Sequence, residues 1–286
     1  MASNIAAFKQ LKANGERISM LTAYDYPTAQ LLERASVDSI LVGDSLGNVI
    51  LGYKNTIPVT VEDMVHHGAA VKRGAPNTLV LVDMPFMSYQ SSTRDALLNA
   101  GRIMKETGCD AVKLEGGVAM APTIKALANA GIPVCAHVGM MPQSVNAYGG
   151  FKVQGKSEDD ARKLLEDALA VEQAGAFAVV LECVPAPLAG LATKQLGIPT
   201  IGIGAGIDCD GQVLVTQDML GMFDDFAPKF VKRFASIGQQ MQKAFQEYNA
   251  QVKDGSFPTQ EQAFSMDSGT IEQIEQEFCA KSGSQE

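Results

Sequence analysis

The chain has 286 residues, 46% hydrophobic and 19% charged, with a formal net charge of −9 and a pI near 4.9. That is ample apolar material for a large core, and the acidic balance disfavours nucleic acid and anionic membrane surfaces, whose phosphates it repels. A small-molecule or protein partner is the expectation.

Met1 to Met20 mixes Lys9, Lys12, Glu16 and Arg17 among apolar positions and has no secretory h-region. No run reaches the length of a membrane span, and the five cysteines show no CxxC pairing. A reduced, cytoplasmic chain with buried, inert thiols at Cys135 and Cys183 is the expectation. Ile5–Asn14 reads as a short amphipathic helix, a plug or cover outside the repeating pattern that follows.

Ile18–Ala23 is the first predicted strand, followed by a helix over Thr28–Ala35. Ser39–Val42 is then an apolar run that stops at Asp44-Ser45 between Gly43 and Gly47, as a strand covered on both faces would. An irregular segment, Asn48–Pro58, precedes a helix capped by Thr60 and Asp63 and closed near Gly74. The strand Leu79–Asp83 and a helix from Ser92-Thr93 to Thr107 come next. Ala111–Glu115, a helix over Ala121–Ala130, and Ile132–His137 continue the alternation. Ser157 and Asp160 cap a helix to Ala174, and Phe177–Glu182 is the sixth strand. A helix over Leu188–Leu196, the strand Thr200–Ile203, an eighth strand at Val213–Thr216 and a helix from Pro228 to about Val252 complete the pattern.

Eight strands alternating with helices mean a parallel sheet, and the length suits one closed (β/α)8 TIM barrel over residues 1–264 with a polar tail over 265–286. A doubly wound sheet is the alternative, since strand count does not show closure. In either case the strand ends gather Asp44, Asp83, Glu115, His137 and Glu182. Several acids in one dry site call for a cation, and oxygen ligands suit Mg²⁺; a protonated acid is the alternative. Lys113 shares the face of Glu115, either as an anion-holding cation or as half of a structural pair. Gly202–Gly206 lacks a dinucleotide fingerprint and reads as tight turns, and adjacent His66 and His67 point apart on their helix.

Several stretches resemble the ketopantoate hydroxymethyltransferase family. They include Gly43-Asp44-Ser45-Leu46-Gly47, Pro58–Met64, Val82-Asp83-Met84-Pro85-Phe86, Val112–Gly117, His137-Val138-Gly139, Pro142-Gln143-Ser144, Leu181–Pro185, Ile201–Gly206 and Cys209–Val215. The resemblance runs from about Ile18 to Phe264 and departs from the family pattern at Asn48, at Gln262 and in a longer tail. It implies a (β/α)8 barrel using Mg²⁺ and 5,10-methylenetetrahydrofolate to convert 3-methyl-2-oxobutanoate into 2-dehydropantoate. It also implies a homo-oligomer, commonly a decamer. By the same resemblance Asp44, Asp83 and Glu115 form the metal site. Asp44, Ser45, Asp83 and Lys113 contact the 2-oxo acid, and Glu182 is the general base. His137 is either an auxiliary group that orients a ligand or water, or a satisfied structural histidine. Barrels of the phosphoenolpyruvate mutase and isocitrate lyase kind are a second reading, although no cysteine loop like theirs is present. A non-catalytic metabolite-binding barrel is a third.

Overall fold

The computed structural model describes residues 4–150, 152–222 and 228–282. By compactness the chain divides into two units, Met1–Ala235 and Ser236–Glu286. The division precedes the change to polar composition near Ser265.

In the first unit eight parallel strands close into a barrel in sequence order. They are β1 (Ile18–Thr22), β2 (Ser39–Val42), β3 (Leu79–Asp83), β4 (Ala111–Glu115), β5 (Val134–Gly139), β6 (Ala178–Glu182), β7 (Thr200–Ile203) and β8 (Gly211–Leu214). The doubly wound alternative is thereby excluded, because β1 pairs with β8 as well as with β2. The helices are α1 (Ile5–Ala13), α2 (Tyr26–Arg34), α3 (Leu46–Val49), α4 (Val61–Gly74), α5 (Thr93–Thr107), α6 (Ala121–Asn129), α7 (Val145–Tyr148), α8 (Glu158–Gln173), α9 (Ala186–Gln195) and α10 (Thr216–Met219).

Side chains alternate along a strand, so each strand sends one column into the barrel. The apolar members of these columns pack together: Leu79 and Leu81 of β3, Ala111 of β4, Cys135 of β5, Ala178 and Val180 of β6, Ile201 of β7 and Val213 of β8. Continuing the same parity reaches Asp83, Lys113 and Glu115, His137, and Glu182. The columns are therefore apolar toward the strand starts and polar toward the strand ends. From α1, fully buried Phe8 joins the apolar end, its ring meeting Phe177 edge-on at 5.9 Å. The predicted plug helix fills the floor of the barrel. A second, larger core lies between the strands and the surrounding helices.

Local rules explain most boundaries. Thr60 and Asp63 form the predicted reciprocal cap on α4, and Ser92 and Ser157 cap α5 and α8. Other boundaries differ from the sequence reading. α2 begins at Tyr26 because Asp25 accepts the Thr28 N–H and so supplies the cap two residues early. α4 ends at Gly74 as expected, and a Cβ there would lie 2.4 Å from the Tyr26 carbonyl oxygen, so the residue also permits close approach to α2. β8 occupies 211–214 rather than 213–216, and the Thr216 N–H instead donates to the Thr22 hydroxyl at the start of α10.

In the second unit α11 spans Ile237–Asp254 and α12 spans Ser268–Ser282, and Tyr248 of α11 meets Phe257 of the segment after it edge-on. The predicted start of α11 at Pro228 is too early, since residues 228–236 are not helical, and 223–227 lie outside the described residues. No helix among the described residues is long and apolar enough to cross a membrane.

Truncating the floor should be costly. Phe8→Ala is expected to lower the unfolding free energy by about 3–5 kcal/mol in urea titrations. A loss under about 1 kcal/mol would show that α1 does not close the barrel.

Candidate active site

The polar ends of the inward columns surround a cavity of about 680 Å³ lined by Asp44, Ser45, Asp83, Lys113, Glu115, His137 and Glu182. Every site residue proposed from the sequence reaches this one space. Strand register accounts for the pairing. Asp83 lies beside Lys113 and Glu115 beside His137 across adjacent strands, and His137 and Glu182 project inward from neighbouring β5 and β6.

Asp83 Oδ1 lies 2.8 Å from Lys113 Nζ, and its Oδ2 accepts the Asp44 backbone N–H at 3.0 Å. This ties the loop after β2 to β3 and β4. Ser45 Oγ and Tyr24 OH share a hydrogen bond of 2.8 Å. His137 stands between two carboxylates, its Nδ1 3.6 Å from Glu115 Oε1 and its Nε2 3.3 Å from Glu182 Oε2. Neither ring nitrogen makes a well-formed hydrogen bond.

Asp44, Asp83, Lys113, Glu115 and His137 are each no more than 5% exposed. Burial penalises charge, and the titrating groups respond. Burial, reinforced by Asp83, pushes Asp44 up to about 7. Burial and then Asp44 hold Glu115 well above the ordinary carboxylate range. For Lys113 burial opposes the charge, but Asp83, Glu115 and Asp44 outweigh it and keep the ammonium firmly protonated. Burial and then Lys113 depress His137, so its imidazole is neutral at pH 7.

Three contributors were not singled out from the sequence. Gln143, in the turn after β5, donates to Asp44 Oδ2 at 2.9 Å. Tyr89 receives the Glu115 N–H at 3.0 Å. Tyr24 holds Ser45. Pro142-Gln143-Ser144 was visible as a motif after a barrel strand, which was the available signal. Cys183, expected to be buried and inert, is half-buried and lines the cavity, with its backbone in the left-handed region at φ 49°. His67 packs its ring perpendicular to that of His66 and places Nδ1 2.6 Å from the Tyr24 carbonyl, a structural arrangement. Gly206, at φ 86°, would bring a Cβ to 2.4 Å from that of Ala186, so the glycine-rich run serves tight turning.

A closed barrel carrying clustered ionisable groups at the carboxyl ends of its strands defines a (β/α)8-barrel enzyme. The ketopantoate hydroxymethyltransferase family model matches residues 2–260. The 3-methyl-2-oxobutanoate hydroxymethyltransferase of Clostridium novyi is 58% identical over 274 residues, covering 96% of this chain and 100% of that one. The protein of the same name from Enterococcus faecalis is 56% identical with the same coverage. The chain belongs to the ketopantoate hydroxymethyltransferase family. Among solved structures, a phosphonopyruvate hydrolase complex with oxalate and Mg²⁺ aligns at a TM-score of 0.60 and 12% identity, covering 100% of this chain and 99% of the other. A 2,3-dimethylmalate lyase aligns at 0.58 and 14%, covering 99% of each. At these identities the likeness is one of fold.

The raised Asp44 value fixes a pH dependence. An unfolded Asp44 releases its proton near the ordinary 3.8, whereas the folded one holds it to about 7. Folded stability from this group is therefore full below pH 4 and lost as pH rises toward 7. Urea titrations in EDTA should show the stability of Asp44→Asn relative to wild type rising between pH 4 and pH 7 and then levelling. A difference that stays constant from pH 4 to pH 8 would contradict the assignment.

Proposed function

We propose that the chain transfers a hydroxymethyl group from 5,10-methylenetetrahydrofolate to 3-methyl-2-oxobutanoate, giving 2-dehydropantoate, with Mg²⁺ at the site. The observation that carries this reading is one cavity that gathers an acid, Glu182, and a buried ammonium, Lys113, paired with Asp83. Family membership supplies the substrates.

The donor set fits a hard cation. Three buried carboxylates face a single ammonium, and burial raises two of them, which is the electrostatic deficit a divalent ion relieves. Among the described residues no three His, Cys, Asp or Glu converge as a ready cage. Mg²⁺ is commonly held by one or two carboxylates with water and substrate oxygens completing its shell. Asp44 and Asp83 would hold it, and Glu115 would add charge from β4. When bound, the ion polarises the 2-oxo acid as a Lewis acid and eases loss of a proton beside the ketone.

The remaining steps belong to the chain. Lys113, fixed by Asp83, faces the anionic substrate and offsets charge that grows on its ketone oxygen. Ser45, held by Tyr24, offers a hydroxyl to the same substrate. Glu182, which lines the cavity with neutral His137 3.3 Å away, takes the proton from C3. The electron pair left at C3 forms the new carbon–carbon bond to the one-carbon unit. Water supplies the hydroxyl oxygen, and tetrahydrofolate leaves. At about 680 Å³ the cavity can take both substrates together.

With both substrates and Mg²⁺, wild type is expected to form 2-dehydropantoate, EDTA to stop it, and Glu182→Gln to lower kcat by about 10²–10⁴-fold. Wild type without product, or Glu182→Gln with undiminished kcat, would contradict the reading.

A further inference from the structure

Gln143 is 4% exposed, and every polar atom of its side chain is engaged. Nε2 donates to Asp44 Oδ2 and to the Met84 carbonyl, each at 2.9 Å. Oε1 accepts from Tyr89 OH at 2.7 Å and from Gln90 Nε2 at 3.0 Å. Its backbone N–H donates to Glu115 Oε2 at 3.0 Å. One residue after β5 thus touches the strand-end segments of β2, β3 and β4.

The direction of this network is determined. Reversing the amide would set Oε1 against the Met84 carbonyl, two acceptors with no proton between them. Tyr89 enforces the orientation from the other side. Its oxygen accepts the Glu115 N–H at 3.0 Å, and its hydroxyl donates to Gln143 at 2.7 Å rather than to the Glu115 carbonyl at 3.2 Å. Hydrogen bonds therefore run from the Glu115 N–H through Tyr89 and Gln143 to Asp44, each polarising the next. Gln143 thus fixes one oxygen of the Asp44 carboxylate, Oδ2, at the wall of the cavity that Asp44 lines.

We propose that Gln143 is a positioning residue, aimed by Tyr89, that orients the Asp44 carboxylate for a divalent cation and so sets cation affinity. This rests on the Mg²⁺ reading above. Partners that orient a metal's carboxylate commonly alter affinity by about 10–100-fold when removed.

The test uses Mn²⁺ alone, titrated into the metal-free full-length protein and followed by electron paramagnetic resonance. Gln143→Met, close in size and without an amide, is expected to raise the Mn²⁺ Kd at least about tenfold. Tyr89→Phe, which deletes one oxygen and leaves the packing, is expected to raise it by a smaller factor. If Gln143→Met fails to fold, Tyr89→Phe decides. A purely structural role would lower the thermal midpoint and leave the Mn²⁺ Kd at the wild-type value, which would overturn the proposal. Wild type that forms 2-dehydropantoate while both folded variants bind Mn²⁺ normally would overturn the positioning role and leave the reaction standing.

Discussion

Three carboxylates and one ammonium are held out of water at the end of a closed barrel, and the rest of the site answers to that imbalance. At an effective dielectric near 20, unit charges 4 Å apart interact by about 4 kcal/mol, while each ion taken from water costs several kcal/mol. The Asp83–Lys113 pair settles one acid. Asp44 and Glu115 remain, and the chain meets them with directed hydrogen bonds from Gln143 and with raised proton affinities. The charge is concentrated where the proposed cation and anionic substrate would meet.

The barrel carries this imbalance because its inward columns change character along their length. Leu79 and Leu81 precede Asp83, and Ala178 and Val180 precede Glu182, on the same face of their strands. The apolar half packs around Phe8 and supplies burial, and the polar half lines the cavity. Fold stability and site chemistry are thus built by the same strands, at opposite ends. His137, neutral and lacking a well-formed hydrogen bond, stands where the two acids of β4 and β6 come closest to a shared neighbour.

Much of this was legible in the sequence. Strands β3, β4 and β6 stop at Asp83, Glu115 and Glu182 as their composition declares, whereas β5 runs on past His137 to Gly139, and strand parity places Lys113 with Glu115. Closure of the sheet was not legible, because pairing of β1 with β8 is a contact across nearly the whole first unit. Gln143 could be quoted as a motif but not assigned a task, since its meaning depends on partners up to 99 residues away. The start of α11 was misplaced because apolar positions at Phe230 and Phe234 continue its period into residues that are not helical. Gly74 looked like a helix stop, and only the approach of α2 reveals the contact that excludes a side chain.

In the proposed reaction Glu182 removes a proton from a 2-oxo acid held beside the buried acids. Deuterium exchange at C3 of 3-methyl-2-oxobutanoate, followed by NMR without folate, tests this step alone. Wild type should exchange with Mg²⁺ and little without it, and Glu182→Gln should lose exchange. Exchange that persists in Glu182→Gln would remove the proton-abstracting role from Glu182. No exchange by wild type with Mg²⁺, even after tetrahydrofolate is added, would contradict the account as a whole.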